Sequence, residues 1–357
     1  MRTPSLLLLG ITALISVSTL LMGIAFTQGG RQAPPGKVVG LNSEALSVSN
    51  LKRSIKFYKM IGFTVVGNAN PRWLKDEGEN RLYDTPGAMS RTAALTMATT
   101  ASGKPFTLYL REYKNVDRGA RVDFPARDAS SCHLGVLVPE ADALWERMKT
   151  AGLLRALSWD SKLVRMPGQN SGGIAYIMDP DGFNIEIIGV RVPSAPGAQQ
   201  SSDQPTLHHL GISVLNSGKS MTFYGGLLGG KFPEALPKWV SGDNYDAAVG
   251  GHGYVIRLIN GTFPETAASP SEMRFELVEY QKPNRQEIPD YRISDVAVSC
   301  AGFQVDGLDA TYARLKSAGI PAWSKAGIVQ KKDGTRAVVV RDPDVGAFVE
   351  LFEKPGK

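Results

Sequence analysis

The sequence predicts an α+β protein assembled from four copies of one strand–helix–strands unit. Two observations carry this. Four segments open in the same way, and each leads through a helical stretch to a strongly apolar closing strand. The openings are Ser43-Glu44-Ala45-Leu46-Ser47-Val48, His133-Leu134-Gly135-Val136-Leu137-Val138, His209-Leu210-Gly211-Ile212-Ser213-Val214 and Cys300-Ala301-Gly302-Phe303-Gln304-Val305. Each alternates small or polar residues with apolar ones, the period of a half-buried strand. The first column reads Ser43, His133, His209 and Cys300, so three of the four positions carry a residue type that can ligate a metal. A repeat with one polar, lined face is the resulting expectation.

The helices follow in order. Asn50 can cap a first helix whose Leu51, Ile55 and Tyr58 share a face. Ala141, Leu144, Met148 and Ala151 form the apolar side of a second, ended by Gly152. Met221, Tyr224 and Leu228 mark the third, and Leu308, Tyr312 and Leu315 the fourth. Units one and three share a Phe-Tyr pair (Phe57-Tyr58, Phe223-Tyr224), whereas units two and four share a helix pattern and an Asp-Pro-Asp turn. Two duplicated halves explain that alternation. Closing strands are expected over residues 106–113, 183–189, 274–280 and 348–353. The turns at Asp179-Pro180-Asp181-Gly182 and Asp342-Pro343-Asp344 read as structural, because Asp, Pro and Gly set turn geometry.

Composition narrows the function. A chain of 357 residues with 43% hydrophobic residues is long enough for two domains. Its net charge of +6 comes without any Lys/Arg run interleaved with aromatics, which argues against nucleic acid as a partner. Arg2, an apolar run over residues 6–25 and a polar Gly/Pro-rich stretch after it have the layout of a secretory signal or a retained membrane anchor. Export to the periplasm or cell exterior is therefore expected. Membrane contact is expected only through that segment. The two cysteines, Cys132 and Cys300, sit one register step apart in equivalent strands, which favours separate thiols over a bridge. The expected organisation is a signal or anchor at 1–25, a flexible segment at 26–37, an N-terminal domain at 38–192, a Ser/Gln/Ala/Pro linker at 193–205 and a C-terminal domain at 206–355.

The His-Leu-Gly strand starts, the Phe-Tyr pairs, and the Asp-Pro-Asp turns running into Ile185-Glu186 and Val349-Glu350 resemble the vicinal oxygen chelate superfamily. That superfamily includes glyoxalase I, the bleomycin-resistance proteins and the extradiol dioxygenases. The resemblance implies βαβββ units pairing into two curved mixed sheets, with ligands from the first and last strand of each unit. By position these are His209 and Glu276, Cys300 and Glu350, His133 and Glu186, and Ser43 and Tyr109. With pairing inside each half, His209, Glu276, Cys300 and Glu350 would hold a divalent ion (zinc, manganese, iron or nickel), and Glu276 or Glu350 would move a proton. The N-terminal cup would be metal-free, with His133, Glu186, Tyr109 and Arg111 available to an anionic or planar ligand. Pairing across the halves is left open, as is a homodimer. The implied function is isomerase or lyase chemistry on a small substrate with adjacent oxygens. The alternatives are a metal-free sequestering protein and an extradiol-type dioxygenase, against which Cys300 weighs as an oxidisable ligand.

Overall fold

The computed structural model describes residues 36–119, 126–130, 132–165, 171–190, 204–266, 272–282 and 290–355. The expected export segment and most of the 193–205 linker lie outside them. Among the described residues no helix is long and apolar enough to cross a membrane.

Unit one comprises β1 (Lys37–Val48), α1 (Leu51–Met60), β2 (Thr64–Val66), α2 (Glu77–Tyr83), β3 (Met89–Ala98) and β4 (Pro105–Lys114). Unit two comprises β5 (Cys132–Val138), α3 (Ala141–Thr150), a 3-10 turn at Trp159–Ser161, β6 (Ser171–Met178) and β7 (Asn184–Val190). In unit three, β8 (Thr206–Val214) leads to α4 (Ser217–Met221), which runs into a π-helical turn at Thr222–Leu227. Then come β9 (Val240–Ser241), α5 (Asp243–Val249), β10 (Val255–Pro264) and β11 (Glu272–Lys282). Unit four has β12 (Ser299–Asp306), α6 (Leu308–Ser317), β13 (Val329–Gln330), β14 (Arg336–Arg341) and β15 (Phe348–Glu353). The Asn50 side chain caps α1 by accepting from the Arg53 N–H at 3.0 Å, and Asn216 caps α4 in the same way. Tyr312 and Met221, expected on buried faces, are only half-buried, and the Tyr312 hydroxyl instead accepts the Ala322 N–H.

The fold is α+β with two curved mixed sheets, and the sheets pair units across the halves. One sheet has the order β13-β14-β15-β12-β1-β4-β3-β2, joining units four and one. The other has the order β6-β7-β5-β8-β11-β10-β9, joining units two and three. At each centre two opening strands run antiparallel, β1 with β12 and β5 with β8. Their apolar faces and the helices share one buried cluster that includes Leu46, Leu110, Leu134, Leu210, Phe275 and Phe303.

Consecutive units interlock differently, through helix-to-turn contacts. Asp179 accepts the backbone N–H groups of Asp181, Gly182 and Phe183, each at 2.8 Å, and receives the Tyr58 hydroxyl from α1 at 3.0 Å. Asp181 takes Ser54 and Arg53 of the same helix. In the other half Asp344 accepts the backbone N–H groups of Leu215 and Asn216 ahead of α4. The Asp-Pro turns are thus structural. Burial, reinforced by Asp181, pushes the Asp179 carboxyl up to about 6, and burial does the same for Asp342.

Candidate metal centre

The β5–β8 pairing sets two parallel rows across four strands. His133 lies opposite Gly211, which neighbours Glu276 on β11. His209 lies opposite Gly135, which neighbours Glu186 on β7. Each imidazole leans over the glycine of the facing strand. A Cβ at Gly211 would stand 2.1 Å from His133 Cε1, and one at Gly135 would stand 2.2 Å from His209 Cε1. The His-Leu-Gly motif is therefore self-complementary. Each copy supplies one ring and the bare backbone that makes room for the other.

The two rings meet Nε2 to Nε2 at 2.9 Å. Glu276 Oε2 stands 3.6 Å from His133 Nε2 and 3.8 Å from His209 Nε2. Together, His133, His209 and Glu276 form a group that could hold a metal ion, with ligand atoms all within 4.8 Å of one another. Glu186 Oε2 stands on the other side, 3.2 Å from His209 Nε2. Both histidines are buried. Burial disfavours the charged ring of His209, but Glu186 and Glu276 outweigh it and raise its proton affinity above the usual histidine value. Burial likewise opposes ionisation of Glu276, and the hydrogen bond from His133 with the charge of His209 overcomes it and lowers its pKa. Two imidazoles and a carboxylate converging in this way fit a borderline divalent ion such as zinc, manganese, iron or nickel.

A second layer orients the rings. The Tyr176 hydroxyl lies 3.3 Å from His133 Nε2. His208 Nδ1 faces His209 Nδ1 at 2.9 Å, while the Arg274 guanidinium donates to His208 Nε2 at 2.8 Å. Burial, His209 and Arg274 push His208 down to about 4, so it is neutral. With its Nε2 accepting from Arg274, His208 carries its proton on Nδ1 and donates to His209. His208 thus touches the candidate ligand directly. Tyr176 belongs to a buried cluster with Tyr254 and Tyr280, and Tyr245 of α5 is hydrogen-bonded to Tyr280 at 3.0 Å. Trp159 stacks on the exposed His252 and donates its indole N–H to Gly251, tying the 3-10 turn to the segment after α5.

The structure corrects the grouping expected from sequence. His209 and Glu276 do not share a cup with Cys300 and Glu350, which lie on the other sheet because β12 pairs with β1 rather than with β8. Nor do Tyr109 and Arg111 join His133 and Glu186: they belong to β4, on the sheet of units one and four. In that cup the equivalent rows read Ser43–Gly302–Glu350 and Cys300–Ala45–Tyr109. Lys331 Nζ lies 2.5 Å from Glu350 Oε1, and the Tyr83 hydroxyl donates to Glu350 Oε2 at 2.6 Å. An ammonium thus stands beside the carboxylate that corresponds to Glu186 and Glu276. The buried Cys300 thiol is pushed up by burial and by Glu350. Both cysteines are free.

Ala45 is the signal that sequence reasoning missed. Pairing inside the N-terminal half would set His133 opposite Ala45 in place of a glycine, and the methyl would occupy the space the imidazole needs. Across the halves, each histidine lies opposite a glycine of the facing opening strand, and Ala45 lies opposite Cys300.

Comparison with known proteins agrees with this architecture. The sequence pattern of the Glyoxalase/Bleomycin resistance protein/Dioxygenase superfamily matches residues 40–187 and 206–351, and the chain belongs to that superfamily. Glyoxalase I from Zea mays is similar in fold, with 19% identity, a TM-score of 0.50, and coverage of 88% of this chain and 92% of that chain. A point mutant of the same protein superposes with a TM-score of 0.54, at the same identity and coverage. No curated protein matches the chain.

Proposed function

We propose that the cup of units two and three is the centre of a metal-dependent lyase or isomerase acting on a small substrate with two adjacent oxygens. The observation that carries this is the convergence of His133, His209 and Glu276, with a further carboxylate, Glu186, 3.2 Å from His209 Nε2. A divalent ion held by the first three would supply Lewis-acid stabilisation of negative charge on the substrate oxygens. Glu186 then has the position of the general base, taking a proton from the substrate carbon and returning it to its neighbour. His208 and Tyr176 hold the rings in place.

The test is elemental analysis of untagged protein beside His209→Ala and Glu186→Gln. Stoichiometric metal is expected in the wild type and in Glu186→Gln, and none in His209→Ala. Glu186→Gln should also lose turnover of vicinal-dioxygen substrates by about 10²–10⁴-fold. A protein that takes up none of zinc, manganese, iron or nickel would sink the proposal and leave the sequestering alternative. One observation favours a second reading. With Cys300 in the other cup, two histidines and one glutamate remain, the ligand set of oxygen-activating iron sites. Oxygen uptake by the iron-loaded protein with a catechol would select that reading.

A further inference from the structure

The cup of units one and four has its own internal cation and its own open volume. It encloses a cavity of about 540 Å³ whose floor holds Ser43, Tyr109, Cys300 and Glu350. Every deep charge there is already matched. Lys331 and Tyr83 satisfy Glu350. Arg111 is buried against the Tyr83 ring at 4.4 Å, pairs with Glu79 at 3.2 Å and donates to Thr92 at 3.1 Å. The cations therefore already pair Glu350 and Glu79, the carboxylates on that lining that a metal would otherwise draw on. Two further ammonium groups line the cavity, Lys104 just before β4 and Lys354 just after β15, at the same end of the sheet. Neither has an ion-pair partner among the described residues. Asp333 is the one lining carboxylate without a cation among those residues, so the balance at the mouth is one positive charge. On that lining Tyr109 shows 37% of its surface, and its ring stacks on no other ring among the described residues.

We propose that this cup is a second, metal-free ligand site that takes a small aromatic carboxylate. Lys104 and Lys354 engage the anionic group, and Tyr109 stacks on the ring. Hydroxyls of Ser43, Thr107 and Thr335 line the cavity and serve polar ring substituents. The paired Lys331 and Glu350 form a fixed, neutral floor in place of the metal centre of the other cup. One chain then carries two different cups, one built for a cation and one for an anion.

The proposal stands apart from the metal reading, and its test keeps the two separate. Benzoate and its uncharged counterpart benzamide are titrated into the full protein, followed by ligand-observed NMR and by calorimetry. Benzoate should saturate one site, with benzamide about tenfold or more weaker, as expected for loss of charge-assisted hydrogen bonds. Lys104→Met with Lys354→Met should weaken benzoate by about tenfold or more and leave benzamide unchanged, whereas Tyr109→Ala should weaken both. His209→Ala, which removes the other cup's ligand, should bind benzoate as the wild type does. Absence of saturable benzoate binding would overturn the proposal. So would equal binding of the two probes, or loss of benzoate binding in His209→Ala with the lysine variants unaffected.

Discussion

Gly211 and Gly135 lie beneath the two imidazoles, and neither position has space for a methyl group. Gly211→Ala must therefore rotate His133 away from His209 and Glu276 or push β5 from β8. Overpacking of this kind costs about 1–3 kcal/mol, and a displaced ligand costs about 10–100-fold in metal affinity. Gly302→Ala provides the matched control. There the atom in the way is the Ser43 hydroxyl, and a serine can turn to another rotamer without disturbing a ligand. Metal titration of the two variants should show the loss only in Gly211→Ala. Wild-type affinity in that variant would mean that His133 is not a ligand. At this scale the sequence was most legible. The ligand residue types stood at the expected strand positions, but the grouping did not follow from them. The four opening strands share one alternation, and any two can pair antiparallel. Only the bulk at the third position, Ala45 against Gly135, Gly211 and Gly302, distinguishes the partners.

Among the elements, α1 and the turn before β7 form a joint that sheet pairing does not supply. Units one and two share no central strand pair, so their helix-to-turn contacts tie the N-terminal half together. Tyr58→Phe removes the hydroxyl that satisfies Asp179 Oδ2 and leaves a buried carboxylate oxygen without that partner. The expected cost is about 1–3 kcal/mol in denaturant unfolding, with metal content unchanged because no ligand moves. A Tyr58→Phe protein as stable as wild type would show that the joint is dispensable. The repeat of Phe-Tyr in units one and three and of Asp-Pro-Asp in units two and four was plain in the sequence. That these two signatures touch each other was not, because contacts between residues more than a hundred positions apart leave no local period. The π-helical turn after α4 was equally hidden, since Met221, Tyr224 and Leu228 fit an ordinary helix.

At the scale of the whole molecule one residue contradicts the core it occupies. Glu44 holds the second position of the Ser43–Val48 opening segment in β1, where the other units have Leu134, Leu210 and Ala301, and it is fully buried, with neither carboxyl oxygen in a hydrogen bond of ordinary length among the described residues. Burial pushes its pKa up to about 8, and Ser299 offsets this only in part. Folding therefore protonates it at neutral pH. Between its ordinary value of 4.5 and about 8, the folded chain binds a proton that the unfolded chain does not. The contribution of Glu44 to stability thus falls across this window, by about 1.4 kcal/mol per pH unit, and levels off above it. Glu44→Leu removes both the titration and the buried polar group. Its advantage over wild type should grow from acid pH to pH 8.5, reaching on the order of 2–5 kcal/mol, read from denaturant midpoints at a series of pH values. A constant difference between the two proteins across that range would show that Glu44 does not titrate inside the fold. A Glu44→Leu protein less stable than wild type at pH 8.5 would point to a polar partner for the carboxylate at the seam where β1, β4 and β12 meet.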